Sequence, residues 1–355
     1  MISSAEVGAV ARNLADAGSD LRWSGEGLRE LAGRLGWEWA DGSDGRVRLV
    51  TALPGGDAAL VPVDARARPW ARSQEYLELV VPVSRPAAEV HAQVEEFRRV
   101  ADALRRELGN ATYIGGNGRN SPTGHRLAPS WGRPFLRWRR GATSLELRAG
   151  EAGPELVLQA SAVWESWYQQ GGDGYVGVLQ GAGLELDHPR REYAGEWDEL
   201  ALGGFLQMLP AEVRATGLAQ SMPLYGCSIG DGPLLFAIDC RAGRLLIGYT
   251  EAGVAEAARG ERAATLGWTP IEETLPSDHP LRPQFGCTPW LIDAGGPGGV
   301  DGAVADVIVR TARAAGVASA SGLRIGGEAE HVVIEGTTGH TRYRIGFPGL
   351  RMRTC

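Results

Sequence analysis

The stretch LLFAIDCRAGRLLIGY, residues 234–249, decides the fold of the second half of this chain. It holds two apolar runs of strand length around a glycine turn, which predicts two adjacent core strands. A short Ala-rich helix is expected at 251–259, directly after the second run. Farther on, the apolar run PWLI (289–292) predicts another strand, and the glycine-rich run 293–302 leads from it into a helix over 300–315.

A repeated octapeptide marks two corners of the fold. The segments ELAGRLGW (30–37) and ERAATLGW (261–268) share the pattern E-x-A-x-x-L-G-W. Glycine commonly ends a helix because it adopts the left-handed conformation without strain. Each segment therefore predicts a helix that ends at its glycine and passes directly into a strand.

The first half of the chain shows equally clear helix signals. Ser3 and Glu6 form a capping box that opens an amphipathic helix. Apolar residues recur at three- and four-residue spacing over 87–108, which predicts a helix lying on a sheet. A long Gly-, Pro- and Ser-rich loop is expected at 115–132. Strands are predicted at 46–51, 58–64, 75–83, 135–139, 144–148 and 155–159.

The two halves of the chain resemble each other in order. Strands expected at 322–326, 331–335 and 341–347 align without a gap against the three strands that end the first half. Residues 169–174 have the composition of a linker. We therefore predict an α+β protein of two related domains, residues 1–172 and 173–355, each an antiparallel sheet with helices packed on one face.

Composition excludes several classes of function. All 36 basic residues are Arg, so a P-loop lysine, a Schiff-base lysine and a kinase-type lysine are absent. The net charge of −7 argues against nucleic acid and anionic membranes as partners. No window is apolar enough to span a membrane, the start does not resemble a signal peptide, and the four Cys show no C-x-x-C spacing. We expect a cytoplasmic protein.

The candidate catalytic patterns are weak. GCSIG at 226–230 matches the nucleophile-elbow pattern, but the residues after Ser228 predict another strand where an elbow requires a helix. The loop at 293–302 could present N–H groups to an anion, although Asp293 and Asp301 would repel phosphate. The tripeptide Asp-His-Pro occurs at 187–189 and 278–280 and is typical of turns. No cofactor and no metal site is predicted.

Aromatic residues are the strongest hint of a binding surface. Eleven Trp occur in the chain, and most of them sit at element ends, which fits corner packing. The alternative is that some line a protein-binding face together with Arg, since both residue types dominate binding hot spots. Strand alternation sends Arg137 and Arg139 to one face and Trp138 to the other, and we expect both Arg to be exposed. The candidate binding residues are Trp131, Arg137, Trp138, Arg139, Trp290 and Asp293.

The order of elements over 222–315 resembles the SseB-type family of secretion-associated proteins. The shared features are the paired strands 234–238 and 245–249, Tyr249 and Thr250 before a short helix, and the strand that enters a Gly/Pro turn at 290–299. The Pro-rich segment 272–285 and Ile292-Asp293, where the family more usually has an Asn-Pro turn, depart from that pattern. The first half is similar to small actinobacterial domains whose layout is like that of secretion chaperones. The resemblance implies non-enzymatic binding of a secreted or toxic protein.

Two functions follow as expectations. The first is a cytoplasmic protein-binding module, a chaperone or an immunity-type partner of a secreted effector or toxin. The alternative is a small-molecule-binding protein or an enzyme that uses a cleft between the halves, with Ser228, His279 or Asp293 as its polar groups.

Overall fold

The structure is a computed structural model. It describes residues 2–18, 20–42, 47–65, 67–71, 73–85, 87–117, 129–151, 153–169, 175–181, 197–217, 226–229, 234–240, 244–250, 260–280, 282–285, 288–297, 299–325, 332–336, 339–346 and 353–354.

The described helices and strands are as follows. The helices are α1 Ser4–Ala17, α2 Gly25–Leu35, α3 Val90–Leu108, α4 Ser161–Gln169, α5 Glu199–Ala215, α6 Glu261–Leu266, α7 Ile271–Thr274 and α8 Ala303–Ala314. The strands are β1 Glu38–Asp41, β2 Val47–Val50, β3 Ala58–Pro62, β4 Tyr76–Pro82, β5 Tyr113–Asn117, β6 Pro134–Arg140, β7 Thr143–Ala149, β8 Pro154–Ala160, β9 Tyr175–Gly181, β10 Gly226–Ile229, β11 Leu234–Asp239, β12 Leu245–Tyr249, β13 Thr269–Pro270, β14 Trp290–Gly295, β15 Leu323–Ile325, β16 Val332–Gly336, β17 Gly339–Gly346 and β18 Arg353–Thr354.

These elements form two sheets, and the chain is of the predicted α+β class. The first sheet has the strand order β1-β2-β3-β4-β8-β7-β6-β5-β9-β17-β16, and every pairing in it is antiparallel. The second has the order β13-β14-β12-β11-β10-β15-β18, in which only the short pair β15–β18 is parallel. The predicted core strands are β11 and β12, in the middle of the second sheet.

Local sequence signals set the helix ends. The capping box at α1 is formed: the Ser3 hydroxyl accepts from the Glu6 N–H, and the Glu6 carboxylate accepts from the Ser3 N–H. Both octapeptide corners are also confirmed. Gly36 ends α2 at a φ of 69° and Gly267 ends α6 at 100°, and a strand starts within two residues of each glycine.

The two sheets share one apolar core. Helices α1 and α3 pack against each other and over β7 and β8 of the first sheet. Helices α5 and α8 pack together beside the second sheet, and α5 also contacts α3 and β6. The sheets are therefore joined through the α3–α5 contact, and buried residues from Ile2 to Leu323 belong to a single cluster. Within the described ranges, no helix is both long and apolar enough to cross a membrane.

The opposite face of the second sheet is covered by the Pro-rich segment after β13. Helix α7 and the 3₁₀ turn Arg282–Phe285 place Leu275 and Phe285 against Leu246 and Leu291. Gly248 of β12 makes this approach possible, because a methyl group there would lie 2.8 Å from the Phe285 ring. The segment that departs from the SseB-type pattern is thus a structural cover.

Two sequence predictions are wrong in detail. The segment 115–132 was expected to be loop throughout, but residues 113–117 form β5 in the middle of the first sheet. The expected three-stranded meander at the C-terminal end is not formed. Strand β15 pairs with β10 in the second sheet, while β16 and β17 continue the first. Side-chain alternation predicts that a segment is a strand, but it does not identify the neighbour.

Other predictions fall partly outside the described residues. The helix expected at 251–259 and most of the linker expected at 169–174 lie there. The domain boundary at 172/173 stays a prediction. The first sheet itself runs across that position, since β9, β16 and β17 pair within it.

Candidate functional site

Two of the predicted binding residues, Trp131 and Trp138, lie inside the protein. The Trp131 ring packs edge-on against Phe97 of α3, and its indole N–H donates to Gln93 Oε1 at 2.7 Å. The Trp138 indole donates to the carbonyl of Gly109 at 2.8 Å. Both side chains are buried, so they act as corner packing of the kind that tryptophan commonly provides.

Arg137 and Arg139 lie on the face of β6 opposite Trp138, as alternation predicts. The expected exposure of Arg137 is wrong, because this residue is only 4% exposed. Helix α4 folds back over this face and places the Trp164 ring 3.7 Å from the Arg137 guanidinium, while Glu146 of β7 accepts from Arg137 Nε at 2.8 Å. Arg139 remains partly exposed and forms an ion pair with Glu165 of α4.

Trp290 and Asp293 lie on β14 of the second sheet, away from the other four candidates. Asp293 forms an ion pair with Arg244 and also accepts from the Gly295 N–H at 3.1 Å. Asp301 accepts from the N–H of Ala303 at the start of α8 at 2.9 Å. The six candidates therefore do not form one surface, and their part in binding stays a prediction, as does an anion site at 293–302.

The polar residues of the alternative hypothesis also lie apart. Ser228 is on β10 and the next strand, β11, pairs with it antiparallel, so the expected hairpin is confirmed and a nucleophile elbow is not formed. Strands β11 and β12 separate β10 from β14, and the strand register also offsets Ser228 from Asp293 along the strands, so the two residues lie far apart. His279 lies in a turn closed by its N–H to the carbonyl of Pro276 at 2.9 Å. Among the described residues, no group of three His, Cys, Asp or Glu could hold a metal ion.

A layer of charged side chains is buried on the face of the first sheet that carries Arg137. We call it the charged layer. Its members are the charged residues Glu78, Arg137 and Glu146 and the neutral Gln159, which are buried, and Arg148 and Glu155, which are partly buried. Arg148 Nη1 donates to both oxygens of Glu78, at 3.3 and 3.1 Å, and its Nε donates to Glu155 at 3.2 Å. The Gln159 amide donates to Glu146 at 3.4 Å. Opposite charges are therefore paired, as buried charges must be.

Among the described residues, three polar atoms on this face have no hydrogen-bond partner. They are Arg148 Nη2, Gln159 Oε1 and the Tyr113 hydroxyl, and all three are buried. Burial alone would lower the pKa of Arg148, and the carboxylates of Glu78 and Glu155 raise it above its ordinary value. Within the described structure, the Arg148 guanidinium therefore has a donor group, Nη2, without an acceptor, and Gln159 has an acceptor, Oε1, without a donor. A polar molecule could use both.

Another carboxyl, on α5, is largely buried against the first sheet. Glu212 of α5 accepts from the Arg133 backbone N–H at 2.7 Å and reaches the glycine backbone at the ends of β5 and β6. A methyl group at Gly116 would overlap the carboxylate, and one at Gly132 would lie 2.7 Å from Glu212 Cγ. Burial raises the pKa of Glu212 to about 7, although the Arg133 N–H and the Arg133 charge act to lower it.

The same sheet face that carries the charged layer is open at the other end. We call strands β1, β2 and β3 the open ribbon. Ala40, Arg48, Ala59 and Val80 form one cross-strand row, in which Arg48 and Ala59 are exposed and Val80 is buried. Val50, on the same face, is 41% exposed. The cover over this face therefore stops between β3 and β4.

The ribbon also carries half-buried aromatic side chains on its other face. The Trp39 ring lies 4.4 Å from the Arg29 guanidinium of α2, and its indole donates to Asp41 at 3.0 Å. Trp37 precedes β1 and is likewise only partly covered. Aromatic and Arg side chains at a partly exposed edge have the composition of binding hot spots.

No protein-family model matches this chain, and neither a curated protein nor a solved structure matches it.

Neither the charged layer nor the open ribbon was predicted from the sequence. One signal for the layer was present, because the tight turn at Gly141 sets a hairpin register in which Arg137 faces Glu146. No comparable signal identified the open ribbon. Alternation over 47–50 is the same as in the covered strands, and cover depends on distant segments.

Proposed function

We propose that this chain is a non-enzymatic, cytoplasmic protein-binding module, a chaperone or an immunity-type partner of a secreted effector or toxin. The open ribbon is the observation that supports this proposal. Here the sheet face is uncovered, and Val50, Arg48 and Ala59 are exposed to solvent. An uncovered sheet face with apolar and Arg side chains is suited to a protein partner. The net charge of −7 and the SseB-type resemblance of residues 222–315 agree with this proposal.

A photo-crosslinking experiment tests the proposal. A benzoylphenylalanine residue replaces Val50 on the open ribbon, and in a matched control it replaces Arg310, which is exposed on α8. Both proteins are irradiated in native lysate and the adducts are identified by mass spectrometry. The proposal expects one protein to be captured at position 50 but not at 310, and a secretion or toxin gene beside the gene for this chain would agree with it. Equal capture at both positions, or none at 50, would contradict it.

A second candidate function is the binding of a small polar molecule within the charged layer. It is supported by three buried polar atoms that lack a hydrogen-bond partner within the described ranges, Arg148 Nη2, Gln159 Oε1 and the Tyr113 hydroxyl. An unsatisfied buried polar atom costs about 1 to 3 kcal/mol, so a ligand that pairs with these atoms would stabilise the fold.

Native mass spectrometry of the freshly purified protein tests this candidate. It expects a bound compound that is released on denaturation and that is lost in the Gln159→Leu variant. A native mass equal to that of the polypeptide would exclude a retained compound and leave the protein-binding proposal standing.

A further inference from the structure

We propose that β1 is the strand to which the partner adds an extended, positively charged segment, making a twelfth strand of the first sheet. This inference rests on the proposed protein-binding function and specifies the chemistry of its partner. Its evidence is the position of β1 in the sheet and the charge of its side chains.

Strand β1 is an edge strand. It ends the strand order of the first sheet, and within the described structure its one pairing partner is β2. Across the part of the chain that the structure describes, no hydrogen bond is made to the outer edge of β1. An edge of this kind offers a row of backbone donors and acceptors to another extended chain. The end strands of the second sheet, β13 and β18, have only two residues each and offer much less.

The charge of β1 selects the partner. Glu38 and Asp41 are both exposed, and no described basic side chain forms an ion pair with either of them. They are three residues apart, so they point to opposite faces of the sheet. An added strand therefore meets a carboxylate on each face, and Arg or Lys at two positions three apart would pair with both.

The middle of β1 adds a further requirement. In an antiparallel addition, the third residue of a four-residue segment faces Trp39 and the second faces Ala40, while the first and fourth face Asp41 and Glu38. Aromatic and β-branched residues pair well across strands with an aromatic neighbour. The preferred segment therefore has four residues. The first and fourth are basic, the second can be any residue, and the third is β-branched or aromatic.

The test uses a blocked octapeptide, Thr-Thr-Arg-Thr-Val-Arg-Thr-Thr, and measures its affinity for the full chain by titration calorimetry. Replacing both Arg of the peptide by Glu is expected to weaken binding at least tenfold. The charge-reversed protein Glu38→Arg/Asp41→Arg should restore binding to the Glu peptide, which a general electrostatic attraction to an acidic protein would not do. Circular dichroism of that variant checks that it folds.

Backbone methylation tests strand addition directly. In an added strand, alternate N–H groups point toward β1 and the others point to solvent. Two versions of the Arg peptide, N-methylated at alternate positions, should therefore differ at least tenfold in affinity. Equal affinities, no binding of the Arg peptide, or no rescue by the charge-reversed protein would overturn the inference. If strand addition fails but a protein is captured at position 50, the proposed function stands without this inference. If the Arg peptide binds but no protein is captured at position 50, β1 accepts a strand while the open ribbon is not the partner's surface.

Discussion

The two ends of one sheet face differ in this protein as much as a core differs from a surface. At β6, β7 and β8 the face carries the charged layer, where Glu146 and Arg137 are almost fully buried. At β1, β2 and β3 the same face is open, with Arg48 and Val50 in solvent. Both ends alternate charged and apolar residues. Alternation therefore identifies the two faces of a strand, but it does not show whether the charged face is exposed to solvent.

The difference has an energetic consequence. A charge in solvent contributes little to folding, whereas a buried charge depends on its partner. Arg148 and Arg48 occupy the same sheet face, and we expect substitutions at and around them to differ strongly in effect. The predictions below test that contrast.

The largest effect is expected at Glu146. Glu146→Ala leaves the Arg137 guanidinium buried without its carboxylate, and we expect the free energy of unfolding to fall by about 3 to 5 kcal/mol. Arg48→Ala on the open ribbon is the matched control and should change it by less than about 0.5 kcal/mol. Urea unfolding at pH 7 measures both. Similar values for the two variants would show that the charged layer is solvated.

Two valines on the same face give the apolar version of this test. Val80 is 4% exposed and Val50 is 41% exposed. Val80→Ala removes two buried methyl groups and should cost about 2 kcal/mol, while Val50→Ala should cost less than about 0.5 kcal/mol. Thermal unfolding checks the order. If Val50→Ala lowered the stability as much as Val80→Ala does, Val50 would be buried and the open ribbon would be covered.

Glu212 extends the contrast, because it is a largely buried carboxyl whose hydrogen-bond donor is a backbone N–H, whereas the carboxylates of the charged layer form ion pairs. Its pKa is about 7 in the fold against an ordinary 4.5, so folding disfavours the carboxylate. The resulting loss of stability is absent below about pH 4.5, grows between pH 4.5 and 7, and is constant above. Glu212→Gln should therefore raise stability by about 1 to 3 kcal/mol at pH 8 and have little effect near pH 4.5. Urea unfolding at both pH values measures this, and a stability difference that is the same at both would contradict the shifted pKa.

The smallest effects are expected at the corner that leads into the open ribbon. Gly36 ends α2 at a φ of 69°, so Gly36→Ala should cost about 1 kcal/mol. Gly33 lies inside the same helix with open space around it, and Gly33→Ala should stabilise the fold by about 0.5 to 1 kcal/mol. Chemical unfolding measures both stability changes, and opposite signs would confirm that Gly36 holds the left-handed conformation at this corner. The same sign for both would show that backbone conformation does not determine the effect of these substitutions.

Much of the local structure was predictable because its causes are local. The capping box at Ser3 and Glu6, the glycine stops at Gly36 and Gly267 and the alternation of β6 to β8 each depend on a few neighbouring residues. The α+β class followed from these elements. By contrast, β5 lies in a Gly-rich segment without an alternating pattern, and it is a strand because β6 and β9 pair with it on both sides.

What the sequence by itself determined is most of the helices and strands and the two faces of each predicted strand, and the absence of Lys excludes sites that require a lysine. Only the tertiary structure decided which sheet each strand joined, so that β15 left β16 and β17, and which charged residues were covered. The physical reason is that helix caps and strand alternation arise within a few residues. Burial arises when segments far apart in the chain meet, as α4 does over Arg137 and as nothing in the described structure does over Val50.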